Sequence, residues 1–223
     1  MKERTRTVSK EELAERLLKK FGYDEPIFTS EILDSWKEYS RPRVFQILKE
    51  LMGENKIVKD EAGIYYFPTK IMTGEQMVLG RQQIIDKKFI TYGKEIFGYY
   101  SGMKLLNGLH LTTQMPFQIE LVSSKASAKV RKVKVKNFAI TVRRSRVPIN
   151  KNNVHALMLL EAFAELRRPL EREEVGWIKE FVKLKNIKEE DVLFYSRYFP
   201  RHTMKNLCKT GMGIMFEKER TIR

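Results

Sequence analysis

The amino-acid sequence predicts an α+β protein made of two folded domains. Apolar residues recur at intervals of three and four in several stretches, which is the period of a helix, and alternate with polar residues in others, which is the period of a strand. A length of 223 residues and a hydrophobic content of 42% are enough to give each of two domains a core. We expect the first domain to span residues 1–70 and the second to span residues 71–223.

Two helices are predicted near the start of the chain, at residues 9–21 and 30–38. Ser9 precedes the first helix, and Thr29 or Ser30 precedes the second. Hydroxyl side chains at such positions accept hydrogen bonds from the first helical turn, so both helices have a plausible beginning.

A third helix is predicted at residues 41–53, followed by a hairpin that ends near residue 68. Ser40 is a suitable N-cap, and Pro42 falls in the first turn, where its missing N–H is not needed. Apolar residues on one side form a stripe suited to burial: Val44, Ile47, Leu48 and Leu51. Three helices followed by a hairpin is the order of a winged helix-turn-helix domain, whose third helix enters the major groove of DNA.

Candidate DNA-binding residues lie on the side of the third helix that faces away from this stripe. They carry guanidinium, amide and ammonium donors of the kind that read base edges. The candidates are Arg41, Arg43, Gln46 and Lys49, together with Lys59 on the predicted wing. An alternative interpretation is that the helix and hairpin only pack together in another kind of small domain, with arginines present because exposed helix faces are charged.

The second domain is predicted to begin with two helices. The first covers residues 73–89 and opens on Thr73 and Gln76, which have the spacing of a capping box. The second covers residues 94–108 and has small residues on one face, including Gly98, that would allow a close approach to a neighbouring element.

A small antiparallel sheet is predicted to follow. Its first strand begins at Pro116 and has Phe117 on the buried side. Two paired strands then place a row of cations on one face, extended by the arginines that come after them. These candidate phosphate-binding residues are Lys132, Lys134, Lys136, Arg143, Arg144 and Arg146.

The charge of the chain is concentrated in this tract. The formal net charge is +15, yet residues 1–70 hold 14 basic and 13 acidic side chains, whereas residues 125–151 hold 10 basic side chains and no acidic ones. One interpretation is that the cations bind nucleic-acid phosphates, which would position a duplex without reading its sequence. The other is that lysines solvate an open sheet face and guard its edge against association.

The remaining third of the chain is predicted to be helical. An apolar helix runs from about residue 152 to 166 and is the expected centre of the second domain; its His155 is expected to be structural. Three further helices follow, which either pack on the sheet or present a surface to a partner. The residues before Ser9 are expected to be frayed, and the charged tail from Glu217 is expected to be mobile.

Several function classes are disfavoured by what the sequence lacks. A single cysteine, Cys208, and three scattered histidines argue against a structural metal, and we expect no cofactor. No phosphate-cradling loop, HExxH motif or nucleophile elbow is present, so we expect no catalytic residues and no enzyme activity. No apolar run is long enough for a membrane span and no secretory signal is evident, so we expect a cytoplasmic protein.

The segment Gly98-Tyr-Tyr-Ser-Gly102, followed by Leu105-Leu106, Leu111-Thr-Thr-Gln114 and Pro116, resembles the AbiEi-type antitoxins of bacterial type IV toxin–antitoxin (abortive infection) systems. The resemblance covers about residues 10–165 and includes Gly63-Ile-Tyr-Tyr66 at the end of the first domain. It implies a phage-defence protein whose first domain binds operator DNA as a transcriptional repressor of its own operon. It also implies a second domain that counteracts a nucleotidyltransferase-like toxin without requiring a stable complex.

The sequence therefore favours a DNA-binding antitoxin. The alternative is a nucleic-acid-processing or RNA-binding factor in which the second domain is the active part and the winged helix serves for docking. Glu120, on a predicted strand near Lys125, is the acidic residue that such an activity would use.

Overall fold

The computed structural model describes residues 9–211 and Phe216, and the chain divides into two compact units between Ile84 and Ile85. We refer to the part before this division as unit 1 and the part after it as unit 2. The predicted domain boundary, at residues 70 and 71, lies earlier in the chain. Both units contain helices and strands, which confirms the α+β class.

Unit 1 has the element order helix, strand, helix, helix, strand, strand. Its elements are α1 (Lys10–Phe21), β1 (Ile27–Phe28), α2 (Thr29–Ser35), α3 (Arg41–Gly53), β2 (Val58–Glu61) and β3 (Ile64–Tyr66). The strands form an antiparallel sheet in the order β1-β3-β2. The three helices and the hairpin are found where they were predicted, except that α2 begins at Thr29, with Phe28 in the cap position predicted for Thr29 or Ser30, and ends at Ser35. Strand β1 was not predicted, because two residues are too few to show an alternation.

The core of unit 1 is built by the apolar sides of its helices. Ser9 begins α1 by accepting a hydrogen bond from the Glu12 N–H at 3.2 Å, as its predicted capping role requires. Fully buried side chains from α1, α2 and α3 meet the sheet around Trp36. They include Leu13, Leu17, Ile32, Val44, Ile47, Leu48 and Leu51. Burying the predicted stripe of α3 leaves the opposite side of that helix to solvent.

The helix predicted from Thr73 is wrong in its beginning, since α4 (Arg81–Phe89) starts eight positions later in the chain. Residues 70–76 instead form a turn, in which Lys70 and Gln76 make an isolated antiparallel bridge. Gly74 has a φ of 84°, a left-handed conformation that a helix cannot contain. The spacing of Thr73 and Gln76 fits a capping box, but Gln76 instead forms the bridge with Lys70.

Unit 2 contains a four-stranded sheet followed by four helices. Its elements after α4 are β4 (Thr91–Tyr92), β5 (Glu95–Ile96), β6 (Gly98–Ser101), α5 (Gly102–Gly108), β7 (Ile119–Ser123), β8 (Val130–Val135), β9 (Phe138–Arg144), α6 (Val154–Leu166), α7 (Arg172–Leu184), α8 (Glu189–Ser196) and α9 (Arg201–Thr210). Strands β4 and β5 form a separate hairpin. The main sheet has the order β6-β7-β9-β8, with β7 and β9 parallel. The predicted antiparallel sheet is therefore a mixed sheet.

The helix predicted over residues 94–108 is wrong in its first half. Residues Gly98–Ser101 form strand β6, which pairs antiparallel with β7, and only Gly102–Gly108 are helical. A Cβ atom at Gly98 would lie 2.0 Å from the backbone oxygen of Phe89 and 2.8 Å from that of Val122. This glycine does permit a close approach, but of the backbone at the end of α4 and of strand β7 to a strand position, rather than between two helix faces.

Strand β7 begins at Ile119, so the expectation that Phe117 is buried on this strand is wrong. Phe117 lies in the loop before the strand and is 96% exposed. Proline at 116 and the lack of strand pairing before residue 119 leave this loop outside the sheet.

Helix α6 forms the centre of unit 2, as its apolar sequence predicted. The last helices pack against α6, since α7, α8 and α9 contribute Ile178, Val182, Val192 and Leu207 to the same core, and a surface for a partner stays a prediction. The expectations for the residues before Ser9 and for the tail from Glu217 concern positions outside the described residues.

Candidate nucleic-acid interface

The exposed face of α3 carries four of the predicted DNA-binding residues. Arg41, Arg43, Gln46 and Lys49 are all exposed. They face away from the buried stripe because, at 3.6 residues per turn, buried residues spaced three and four apart share one side of the helix and leave the positions between them on the other side. The four donor-bearing side chains are therefore spaced along the exposed side of α3, from its first residue, Arg41, to Lys49.

Few contacts compete for these donors. The Arg41 guanidinium lies over the Phe45 ring at 5.8 Å, which supports the arginine without using its N–H groups. Arg43 Nη1 is 3.9 Å from Glu50 Oε1, a loose and exposed pair that contributes little. Within the described part of the chain, the side chains of Gln46 and Lys49 make no hydrogen bond or ion pair. The face can therefore offer its donors to a ligand.

Charge is distributed unequally along α3. The end of the helix carries a cluster in which Glu54 accepts hydrogen bonds from Lys10 and from Lys56, the latter at 2.8 Å. Contacts with Lys10 and then Lys56 hold the pKa of Glu54 below its ordinary value. The first turn of α3, by contrast, contains no acidic residue. A polyanion is therefore favoured at the beginning of α3 and disfavoured at its end.

The β2–β3 hairpin is a weaker candidate than α3. Lys59 is exposed on β2 and pairs across the sheet with Tyr65. Asp60 and Glu61 follow it, and the strand register shifts at this point, as in a β-bulge. One cation beside two carboxylates gives this hairpin little attraction for phosphate.

The basic strands of unit 2 form the predicted hairpin. Strands β8 and β9 pair antiparallel, and their turn places Lys136 and Asn137 at φ values of 48° and 60°. Two consecutive positive φ values are typical of the two-residue type I′ turn. Lys132 and Lys134 are exposed on the same face of β8, which is an outer strand of the sheet. Neither lysine forms an ion pair with another described residue.

Arg143 does not belong to this row of cations. Its Nη2 donates to Ser101 Oγ at 2.5 Å, to Glu165 Oε1 at 3.0 Å and to the carboxylate of Glu161. The alternation of β9 does place Arg143 on the face of Lys132 and Lys134, but α6 covers that end of the face. The prediction that Arg143 binds phosphate with the lysines is therefore corrected to a role inside unit 2.

Arg144 and Arg146 are also engaged locally, while Lys136 is half-buried. Arg144 donates from Nε to the carbonyl of Ala126 at 3.0 Å and from Nη2 to that of Ser127 at 2.5 Å. The Arg146 guanidinium lies 4.7 Å from the centre of the Phe199 ring. Of the continuous row expected from the sequence, Lys132, Lys134 and Arg146 are exposed without a hydrogen bond to another described residue, whereas Arg143 and Arg144 are used within unit 2.

The carboxylates around Arg143 were not identified from the sequence. Glu161 is 2% exposed. The pKa of Glu165 is raised by the burial of Glu165 itself, then by the charge of Glu161, and more weakly by Glu120. Burial and then the charge of Glu161 also raise the pKa of the Tyr99 hydroxyl. The signal was present, since Glu161 and Glu165 are four residues apart on a helix whose other positions are mostly apolar.

No protein-family model and no curated protein matches this sequence. Across the described residues, none of the helices combines the length and apolar character needed to cross a membrane. The same residues contain no group of three or more histidine, cysteine or acidic side chains placed to hold a metal ion.

Proposed function

We propose that the chain is a DNA-binding antitoxin that represses its own operon, with unit 1 acting as a winged-helix domain. The observation that carries this proposal is the exposed face of α3, where Arg41, Arg43, Gln46 and Lys49 present donors beside a firmly buried stripe. A recognition helix requires this combination, because it must be held rigidly by the core while its other side reaches base edges.

The element order of unit 1 supports the same proposal. Three helices, an added short strand and a hairpin closing a three-stranded sheet match the arrangement expected of a winged helix. The charge along α3 also agrees with it, because recognition helices contact bases mainly from their first turns. Lys132 and Lys134 would add sequence-independent phosphate contacts from unit 2.

The antitoxin part of the proposal rests on the resemblance to AbiEi-type antitoxins in the segment from Gly98 to Pro116. This segment comprises β6, α5 and the loop that leads to β7. We propose that unit 2 counteracts a nucleotidyltransferase-like toxin. Co-expression with such a gene from the neighbouring reading frame tests this: restored growth is expected, and continued growth arrest with soluble antitoxin present would contradict it.

The alternative of a nucleic-acid-processing factor has one supporting observation, which is that Glu120 lies close enough to Glu165 to contribute, after burial and Glu161, to raising the pKa of that carboxyl. Arg143 occupies the place of a metal ion between Glu161 and Glu165, however, because its Nη2 donates to both carboxylates. Nucleic-acid cleavage by the purified protein that is lost in Glu120→Ala would favour the alternative over the antitoxin proposal.

The DNA-binding proposal is tested by gel shift with the region upstream of the gene and with random duplex of equal length. We expect a preference for the upstream region. Arg43→Ala and Gln46→Ala should each weaken this specific binding by about 1–3 kcal/mol, or roughly 5- to 150-fold, and leave binding to random duplex nearly unchanged.

Arg16→Ala is the matched control for Arg43→Ala. Arg16 is also an exposed arginine of unit 1, lies on α1 and pairs with Glu12 at 3.0 Å. The control variant should bind the upstream region as the wild type does. Equal weakening by Arg16→Ala and Arg43→Ala, or no preference of the wild type for the upstream region, would overturn the proposal.

A further inference from the structure

Strand β8 forms one outer edge of the four-stranded sheet in unit 2 and pairs only with β9 among the described strands. Its first half is open to solvent: Arg131 and Lys132 are exposed, and Val130 is 56% exposed. We propose that this edge binds an acidic peptide in extended conformation, which adds a fifth strand to the sheet. This role goes beyond the DNA binding and toxin neutralisation proposed above and depends on neither.

The register of β8 identifies the main-chain groups that face outward. The Arg144 N–H donates to the Lys129 carbonyl at 3.0 Å, so the backbone groups of Lys129 face β9. Successive residues of a strand in an antiparallel pair direct their N–H and C=O groups alternately to the two sides. The outward groups are therefore those of Val130, Lys132 and Lys134, and they make no hydrogen bond with another described residue. Such an edge is a template for pairing with a further strand.

The charge of this edge selects its occupant. The two residues with outward main-chain groups nearest the β8–β9 turn are Lys132 and Lys134, whose exposed side chains lie on the same face of the sheet. Side chains that lie directly opposite each other on paired strands stabilise the pair when their charges differ in sign. Residues 125–151 hold 10 basic and no acidic side chains, so the surrounding segment supplies no carboxylate of its own. A strand with carboxylates at alternate positions complements this edge.

The opposite face of β8 determines the other positions of the peptide. Val133 is half-buried and Val135 is buried, and their partners on β9 are Ile140 and Phe138. Side chains added beside these valines gain most if they are β-branched, because such residues pack well on a pleated, half-buried surface. The complementary peptide therefore alternates glutamate with valine or threonine.

Two other occupants fit this edge less well. A second copy of β8 would place lysines against lysines or arginines, and like charges on paired strands are destabilising. A nucleic-acid strand can approach the lysines, but it has no peptide groups to complete the main-chain ladder. Dependence on main-chain hydrogen bonds therefore separates an acidic peptide from any other polyanion.

The proposal is tested by fluorescence anisotropy with the full-length protein and a labelled peptide of about eight residues, a common strand length, in which glutamate alternates with valine and threonine. We expect saturable binding at moderate salt. The same peptide with lysine in place of glutamate should bind about 10-fold more weakly or worse, because each attractive cross-strand pair becomes a repulsive one.

Two N-methylated forms of the acidic peptide test the main-chain ladder. One form is methylated on the amides of its glutamates and the other on an equal number of the intervening residues. Only one of these two sets of N–H groups can face β8, so the two forms should differ in affinity by about 10-fold, although their composition and charge are the same. The form that retains affinity also shows whether the added strand is antiparallel or parallel.

The matched protein variants are Lys132→Pro and Lys132→Gln. Both remove the same charge, but only proline also removes the outward N–H, and proline is tolerated in an edge strand where that group faces solvent. Lys132→Pro should bind the acidic peptide about 5-fold more weakly than Lys132→Gln does, with an unchanged circular dichroism spectrum. Lys151→Gln removes an exposed lysine of the same basic tract outside the sheet and should bind as the wild type does.

The proposal is overturned if the acidic peptide gives no saturable binding, or if the two N-methylated forms bind equally, since equal binding indicates unspecific attraction of a polyanion. It is also overturned if the protein sediments as a dimer that Lys132→Pro converts to a monomer, because a second copy is then the occupant. The peptide comparisons use the wild-type chain, so they decide the matter even if Lys132→Pro does not fold. Arg43→Ala should leave peptide binding unchanged, which keeps this test separate from that of operator binding.

Discussion

Removing Arg143 should destabilise unit 2 far more than removing a surface arginine. The Arg143→Ala variant leaves the 2% exposed carboxylate of Glu161 without its main partner and Ser101 without its donor. A buried charge that has lost its partner must either stay poorly solvated or distort its surroundings. The stability of unit 2 therefore depends on this contact in a way that the exposure of Arg143 alone does not indicate.

The magnitude follows from the geometry. Breaking one partner of a buried ion pair costs about 3–5 kcal/mol. The lower end applies here, because Arg143 is itself 24% exposed and Arg146 at 3.9 Å supplies partial compensation to the carboxylate of Glu161. We expect a loss of about 3 kcal/mol in the free energy of unfolding, or a fall of roughly 6–12 °C in Tm for a domain of this size.

Tryptophan fluorescence can measure this loss in unit 2 separately. The chain has two tryptophans, Trp36 in the core of unit 1 and Trp177 on α7 of unit 2. In a Trp36→Phe background, urea titration of Trp177 emission reports unfolding of unit 2. Arg131→Ala is the matched control, because Arg131 is exposed on the same sheet and donates one long hydrogen bond to Ser127 at 3.4 Å; it should change stability by less than about 0.5 kcal/mol.

A double variant distinguishes a stranded charge from a simple loss of packing. Adding Glu161→Gln to Arg143→Ala removes the unpaired carboxylate and should recover at least half of the lost stability. If the double variant is no more stable than Arg143→Ala, or if Arg143→Ala matches Arg131→Ala, the buried charge is not what Arg143 compensates and the reasoning is refuted.

Three further predictions concern binding, pH and folding. Replacing both Lys132 and Lys134 by glutamine should weaken binding to specific and random duplex alike. It should also reduce the slope of log K against log salt concentration by about 0.9 per lost phosphate contact, which gel shifts at a series of salt concentrations measure. An unchanged slope would exclude the two lysines as phosphate ligands. Because the pKa of Glu165 is raised by burial and then by Glu161, its stabilising contribution is complete below the ordinary value of 4.5 and is lost as the pH rises through the raised value. Glu165→Gln lacks this loss, so its stability relative to the wild type should increase as the pH rises above the ordinary value of 4.5 in urea titrations, and a decrease would contradict the assignment. Gly98→Ala should prevent unit 2 from folding, because its Cβ would lie 2.0 Å from a backbone oxygen, whereas Gly108→Ala, with open space around it, should keep a wild-type circular dichroism spectrum.

Local sequence patterns predicted the helices of unit 1 well. The stripe of α3 and the cap of α1 involve neighbouring residues, so spacing alone identifies them. The segment from Gly98 to Ser101 was assigned wrongly because its strand conformation depends on antiparallel pairing with β7, which follows only after α5 in the chain. Short segments with mixed propensity are decided by such tertiary contacts.

The same limit explains the outcome for the basic tract. Alternation along β8 and β9 divided their residues correctly between two faces, and Lys132 and Lys134 are exposed as that division requires. Alternation does not reveal where a helix will cover a face. Helix α6 covers the end of the sheet that contains Arg143, which turns a predicted surface cation into the partner of Glu161.

The outer position of β8 has a consequence for how the sheet can be probed. One side of this strand is paired with β9, while its other side meets no strand of the described sheet. Trypsin cleaves after lysine and arginine, and the six residues of β8 include Arg131, Lys132 and Lys134. An outer strand can also open locally while breaking the hydrogen bonds to only one neighbouring strand. Limited digestion should therefore cut the chain here before it cuts the central strands, and a polyanion seated on these lysines would slow that cleavage.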